Sequence, residues 1–212
     1  MERRTPGLRE RKKRAAREAI ATTARRLFAE RGFDAVTVTE VAAAADVSEK
    51  TVFNHFTTKE DLAFAGREER LRALLGDIVQ RPPGASVLDV FRATTNAMID
   101  DIVAGGGDDF LAVPKIISGS RALQERLTMG WEAEAAALTA AIAETSGAAD
   151  GDVVPGIVAR TLSGTHRTIF RVALTGLLTG EDREQLASRL RVAADRAYDQ
   201  LAGGLGEYGK GG

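Results

Sequence analysis

Apolar residues along this chain recur at helical spacing, and no stretch alternates long enough to read as a strand. Ile20, Ala24, Leu27 and Phe28 fall at i, i+4, i+7 and i+8, which predicts a first helix over residues 11–31 with one apolar stripe. Gly32 should end it in the left-handed region, so that Phe33 folds back onto Phe28. Thr37 and Glu40 carry the spacing of a capping box, and Val38, Val41 and Ala42 give the second helix its apolar face. Asp46 stands at the following turn, and Asp tolerates left-handed backbone better than most non-glycine residues. Ser48 can cap a third helix, with Glu49 at its positive end. Val52 and Phe56 point that helix into a core. Lys50 and Asn54, four apart, take the opposite side, flanked by Thr51 and His55.

Thr58 and Asp61 repeat the capping signature and open a long helix to about Gln80, stopped by Pro82-Pro83-Gly84. Further helices are predicted over 86–104 (opened by Ser86 and Asp89), 109–117 (kinked at Pro114) and 120–145 (capped by Ser120). Two more follow over 153–178, with Pro155 in the first turn, and 182–201. The helix at 153–178 is apolar almost all round, through Ile157, Val158, Leu162, Ile169, Phe170, Val172, Leu174 and Leu177. Leu186, Leu190, Ala194 and Ala197 line one face of the last. The fold class is therefore all-α with about nine helices. A flexible basic arm (1–10) precedes a three-helix helix-turn-helix domain (11–58). A larger helical domain (59–203) and a disordered glycine-rich tail (204–212) complete the chain.

Composition narrows the classes. With 44% hydrophobic and 28% charged residues, the 212-residue chain is globular rather than disordered. No apolar run approaches the roughly 20 residues of a membrane span, and the basic N-terminus has no apolar segment behind it, so a soluble cytoplasmic protein is expected. Without cysteine, disulfides and thiolate metal sites are excluded, and no cofactor is expected. The net charge of −1 conceals an asymmetry. Residues 1–58 hold 12 basic and 8 acidic residues, a net +4, whereas the rest, with 17 and 22, carries −5. That suits a polyanionic partner for the first part alone.

The register Thr37…Val47-Ser48…Thr51-Val52-Phe53…His55-Phe56…Lys59 resembles the N-terminal domain of the tetracycline-repressor (TetR) family, and the match covers about residues 11–65. The order of the later helices fits the same family. Two positions depart from its usual pattern: Asp46 replaces a common Gly, and Phe53 replaces a common Tyr, losing a hydroxyl donor. The resemblance implies a ligand-responsive transcriptional regulator, most commonly a repressor. It also implies a homodimer through the last two helices, packed as a four-helix bundle. Regulators that place one helix in the major groove bind near-palindromic operators as dimers.

The DNA-facing set is then Thr37, Ser48, Glu49, Lys50, Thr51, Phe53, Asn54, His55 and Lys59. Lys50 can bond guanine O6 and N7, and Asn54 can read adenine or bond a phosphate. Thr51, His55 and Lys59 suit backbone contacts, and Thr37 can offer a hydroxyl and an N–H to a phosphate. Phe53 can give apolar contact to a sugar or thymine methyl. Arg3, Arg4 and Arg9 could enter an adjacent minor groove.

Pro114–Leu123 resembles the variant found near mycofactocin-associated regulators, which implies acyl-CoA-like effectors. A small hydrophobic effector would sit among Phe64, Leu71, Met98, Ile102, Phe110, Ile117, Leu127, Trp131 and Phe170. Arg67, His166, Arg167 and Arg171 could anchor an anionic headgroup. Each of these residues is singly more often plain core than ligand contact. Two rival classes fit less well. With 2 His, no Cys and no phosphate loop or nucleophile elbow, nothing points to an enzyme. A helical protein-interaction module would account for the amphipathic helices but not for Lys50, Asn54, His55 and Lys59 at DNA-reading offsets.

Overall fold

The computed structural model describes residues 7–105 and 107–205; for Leu8, Glu10, residues 107–112 and Leu205 it describes the backbone only. Among the described residues there are ten helices and no strand. They are α1 (Leu8–Arg31), α2 (Val38–Ala44), α3 (Glu49–His55), α4 (Lys59–Ala63) and α5 (Arg67–Val79), then α6 (Val87–Val103), α7 (Gly107–Ser118), α8 (Arg121–Ser146), α9 (Val154–Leu178) and α10 (Arg183–Leu205). None is long and apolar enough to cross a membrane. The chain divides into two compact units. The first is Met1–Arg67 with Ala112–Leu127, and the second is Glu68–Leu111 with Thr128–Gly212.

The first unit packs α1 to α4 around Ile20, Ala24, Phe28, Phe33, Val41, Val52, Phe56 and Leu62. Ile116 of α7 and Leu123 of α8 belong to the same core, at 3% and 0% exposure, although they lie far downstream in sequence. Phe33 meets Phe28 edge-on with ring centroids 5.0 Å apart, as the sequence predicts. Gly32 ends α1 at φ 86° but ψ 148°. That is extended backbone of a kind open essentially to glycine, not the left-handed helical stop expected.

The second unit packs α6, α9 and α10 about Phe91, Ile99, Leu162, Leu186, Leu190 and Tyr198. Tyr198 is the largest of its fully buried side chains. It continues the i, i+4 row of Leu186, Leu190 and Ala194, whereas Ala197, placed on that face from sequence, is half-buried. Ser86 and Asp89 form the expected capping box on α6, with N–H bonds of 3.2 and 2.8 Å.

Four element readings change. The single helix expected from Thr58 to Gln80 is two, broken at Phe64–Gly66, where Gly66 has φ 82°. A glycine at positive φ halts the helical hydrogen-bond ladder although apolar periodicity continues across it. This break raises the count from nine to ten. α1 begins at Leu8 rather than Arg11, so Arg9 is helical and not part of an arm; Arg3 and Arg4 lie outside the described residues. α10 runs on through Gly203 and Gly204 to Leu205, past the tail boundary expected at 204. Ser120 precedes α8, but its hydroxyl donates to Asp34 at 3.1 Å instead of capping the helix.

Candidate functional site

The recognition geometry is built by two caps and one turn. The Thr37 hydroxyl accepts from the Glu40 N–H at 3.2 Å, and the Thr37 N–H donates to the Glu40 carboxylate at 2.8 Å, which fixes the start of α2. Asp46 then takes φ 54°, and its neighbour Val47 closes the turn by donating to Ala42 O at 3.0 Å. The Ser48 hydroxyl accepts from the Thr51 N–H at 3.1 Å and opens α3. These bonds set the rotation of α3. Val52 and Phe56 are buried at 1% and 2%, and Lys50, Phe53 and Asn54 face solvent. Among the described residues Lys50 makes no ion pair, so its ammonium is available. Phe53 is 52% exposed.

His55 and Lys59 are less free than their sequence positions suggest. Arg17 of α1 donates to the His55 carbonyl and lies over the Phe56 ring at 4.2 Å, tying the end of α3 to α1. The half-buried His55 ring leaves Nδ1 buried with no hydrogen-bond partner. Burial, reinforced by the charges of Arg17 and Lys13, holds its pKa below the ordinary 6.5. The Lys59 ammonium sits over Phe33 at 4.2 Å and Phe28 at 5.9 Å, a cation–π seat at the start of α4. At Thr37 both donors already serve Glu40, the hydroxyl at 2.9 Å. The Glu40 carboxyl is held down at about 2 by the Thr37 N–H, then by Arg31 and the Thr37 hydroxyl, so a phosphate at that helix end would compete with a carboxylate. Glu49 is exposed in the first turn of α3, and Thr51 is half-buried.

The expected effector residues fall into both units. In the first, Phe64 and Ile117 pack partly buried against the core, and Arg67 and Leu127 are half-buried. In the second, Met98 and Ile102 are core residues, with Leu71 and Phe170 packed against them. Phe110 lies among the residues whose side chains are outside the described set. Trp131 is 38% exposed with the Arg167 guanidinium 5.4 Å from its ring centre, and Arg171 is exposed. His166 is drawn inward: its Nδ1 lies 2.8 Å from the Thr95 hydroxyl, which lies 2.8 Å from the Tyr198 hydroxyl. Burial lowers the His166 pKa; Glu134 opposes that shift and Arg167 adds to it. Thr95 and Tyr198, both fully buried, are not candidates on sequence alone. The one available signal is the i+4 continuation from Ala194 to Tyr198.

With the geometry in view, comparison with known proteins decides the class. Residues 20–65 match the family model described as bacterial regulatory proteins, tetR family. Residues 20–65 thus form a TetR-family N-terminal domain. The chain is similar to the HTH-type transcriptional regulator TcmR of Streptomyces glaucescens, 28% identical over 202 residues that cover 92% of this chain and 87% of that protein. Among solved structures it is similar to GusR of Salmonella enterica, with 24% identity and TM-score 0.56 over 91% of this chain and 96% of that one. It also shares its fold with FadR of Bacillus subtilis, with 15% identity and TM-score 0.56 over 88% and 98%. Within that domain α3 is the second helix of the helix-turn-helix.

Proposed function

We propose that this protein is a repressor that binds a near-palindromic operator as a homodimer and leaves it when it binds a small hydrophobic effector. The observation that carries the reading is α3 itself. Its two core residues, Val52 and Phe56, and its cap Ser48 fix the helix so that Lys50, Phe53 and Asn54 stand together in solvent. Lys50 reads guanine, Asn54 bonds adenine or a phosphate, and Phe53 covers a sugar or thymine methyl. Thr51, His55 and Lys59 contribute backbone contacts, with Ser48 and Glu49 at the start of the helix.

A dimer through α9 and α10 is supported by apolar side chains that one chain leaves uncovered. Ile157, Val172 and Leu178 are 57%, 37% and 58% exposed on α9, and Val192 is 60% exposed on α10. An acyl chain leads the effector classes, supported by the FadR structure, which is a complex with stearoyl-CoA. Effector binding shifts operator affinity only by as much as it favours one conformation over the other.

The test is selection of the purified protein on randomised duplex DNA. A palindrome should be enriched, and Lys50→Ala should weaken it by about 1–3 kcal/mol while relaxing specificity at one position. Enrichment indifferent to Lys50 would remove α3 from the reading. Adding stearoyl-CoA should release the duplex, and tight binding of that ligand with unchanged operator affinity would contradict the acyl assignment.

A further inference from the structure

The apolar stripe of α1 does not stop where its core contacts stop. Ile20 and Ala24 are buried in the first unit, at 1% and 0% exposure. Reading back along the same face at helical spacing gives Arg17, Lys13 and Arg9. The face that packs in the second half of α1 is therefore a basic ridge in its first half. Arg11, Lys12 and Arg14 widen it, so residues 9–17 hold six Lys and Arg. Arg9, Arg11, Lys12, Lys13 and Arg14 are all exposed and, among the described residues, enter no ion pair. Glu18, the nearest acid with a described side chain on this helix, is directed at Arg25, 3.0 Å away, and does not neutralise the ridge.

The ridge is also placed. Arg17 bonds the carbonyl of His55, the last residue of α3, and both Arg17 and Lys13 lie close enough to His55 to depress its pKa. The basic face thus begins at the end of the recognition helix and leads away from it.

We propose that this ridge is a second DNA-contacting surface, in which Arg9 and Lys13 grip the phosphate backbone of the duplex flanking the half-site read by α3. The inference rests on the DNA-binding reading above and extends it to base pairs that α3 does not touch. From Arg9 to Arg17 the helix rises about 12 Å. That length spans roughly three to four phosphates of one strand at 3.4 Å of axis each. A rigid helix of point charges suits phosphates rather than base edges, so the ridge adds affinity and salt dependence without adding sequence preference.

The experiment titrates full-length protein against two versions of the selected operator, one trimmed to the half-sites and one with flanks of about one helical turn, over a series of salt concentrations. Neutralising one side chain that holds a phosphate should lower the slope of log affinity against log salt by about 0.9. Arg9→Gln with Lys13→Gln should therefore flatten it by about 1.8 for each DNA-binding unit engaged, which at fourfold higher salt is about a twelvefold smaller loss of affinity. The flattening should be confined to the flanked duplex, and Arg9→Lys with Lys13→Arg should restore the wild-type slope. An unchanged slope on the flanked duplex overturns the ridge while leaving the α3 assignment intact. Equal weakening on both duplexes overturns it as well, since the charges would then act by general attraction. Failure of the wild type to select any duplex, with Lys50→Ala equally silent, overturns the DNA-binding reading and the ridge with it.

Discussion

Thr95 has a single hydroxyl proton and two partners, so it donates to one of His166 and Tyr198 and accepts from the other. A neutral imidazole can complete this chain within the core of the second unit, whereas a charged one must be desolvated there. The sign of the pH dependence follows. Burial lowers the folded-state pKa of His166 below 6.5, so below that pH the unfolded chain takes up the proton first. The contribution to stability is complete above about pH 6.5 and is lost as pH falls beneath it. Thermal melts from pH 7.5 to 5 should show a falling Tm, with a shallower fall in His166→Gln. An identical fall in that variant would assign the effect to His55, whose pKa is lowered in the same direction. At this scale the sequence is informative where a residue's spacing decides its burial, as for exposed Lys50 and buried Phe56. It is silent where a role depends on a distant partner. Nothing near Thr95 in sequence announces His166, 71 residues away.

Among the elements, the caps are legible because a capping box is a local pattern whose bonds close within four residues. The boxes at Thr37, Thr58 and Ser86 all form. The break between α4 and α5 is not legible, because one glycine inside an apolar period is compatible with either a continuous helix or a stop. The meeting of α9 with α10 is equally out of reach. A β-carbon built on Gly176 would lie 2.6 Å from Leu186 Cδ1 and 2.7 Å from Glu181 Oε2. Leu186 is fully buried and has little room to withdraw. Gly176→Ala should thus destabilise the second unit by about 1–3 kcal/mol, as overpacking does, despite its better helix propensity. A denaturant midpoint equal to or above the wild type would show that the two helices can move apart.

For the whole molecule, order along the chain and membership of a unit do not coincide. Leu123, at 0% exposure, fills the core of the first unit from α8. Leu123→Ala should cost about 2–5 kcal/mol, the usual range for a buried leucine. The loss should appear as weakened operator binding and a lower melting temperature, although the substitution is remote in sequence from α3. Unaltered DNA binding at a temperature near the melt would mean that the core tolerates the cavity. The domain boundary expected from local patterns ends the DNA-binding part at residue 58, because long-range packing leaves no periodic signature for Ile116 or Leu123.

That discontinuity constrains anyone who would cut and recombine this protein. A fragment ending at Arg67 would expose the apolar sites that Ile116 and Leu123 fill, and so would begin life with a wet hole in its interior. A hybrid that borrows the reading head for a different sensor must carry residues 112–127 along with it, or supply side chains of matching volume at those two places. The first unit is therefore not a detachable module at the N-terminal end of the chain, but one assembled from two separate lengths of it.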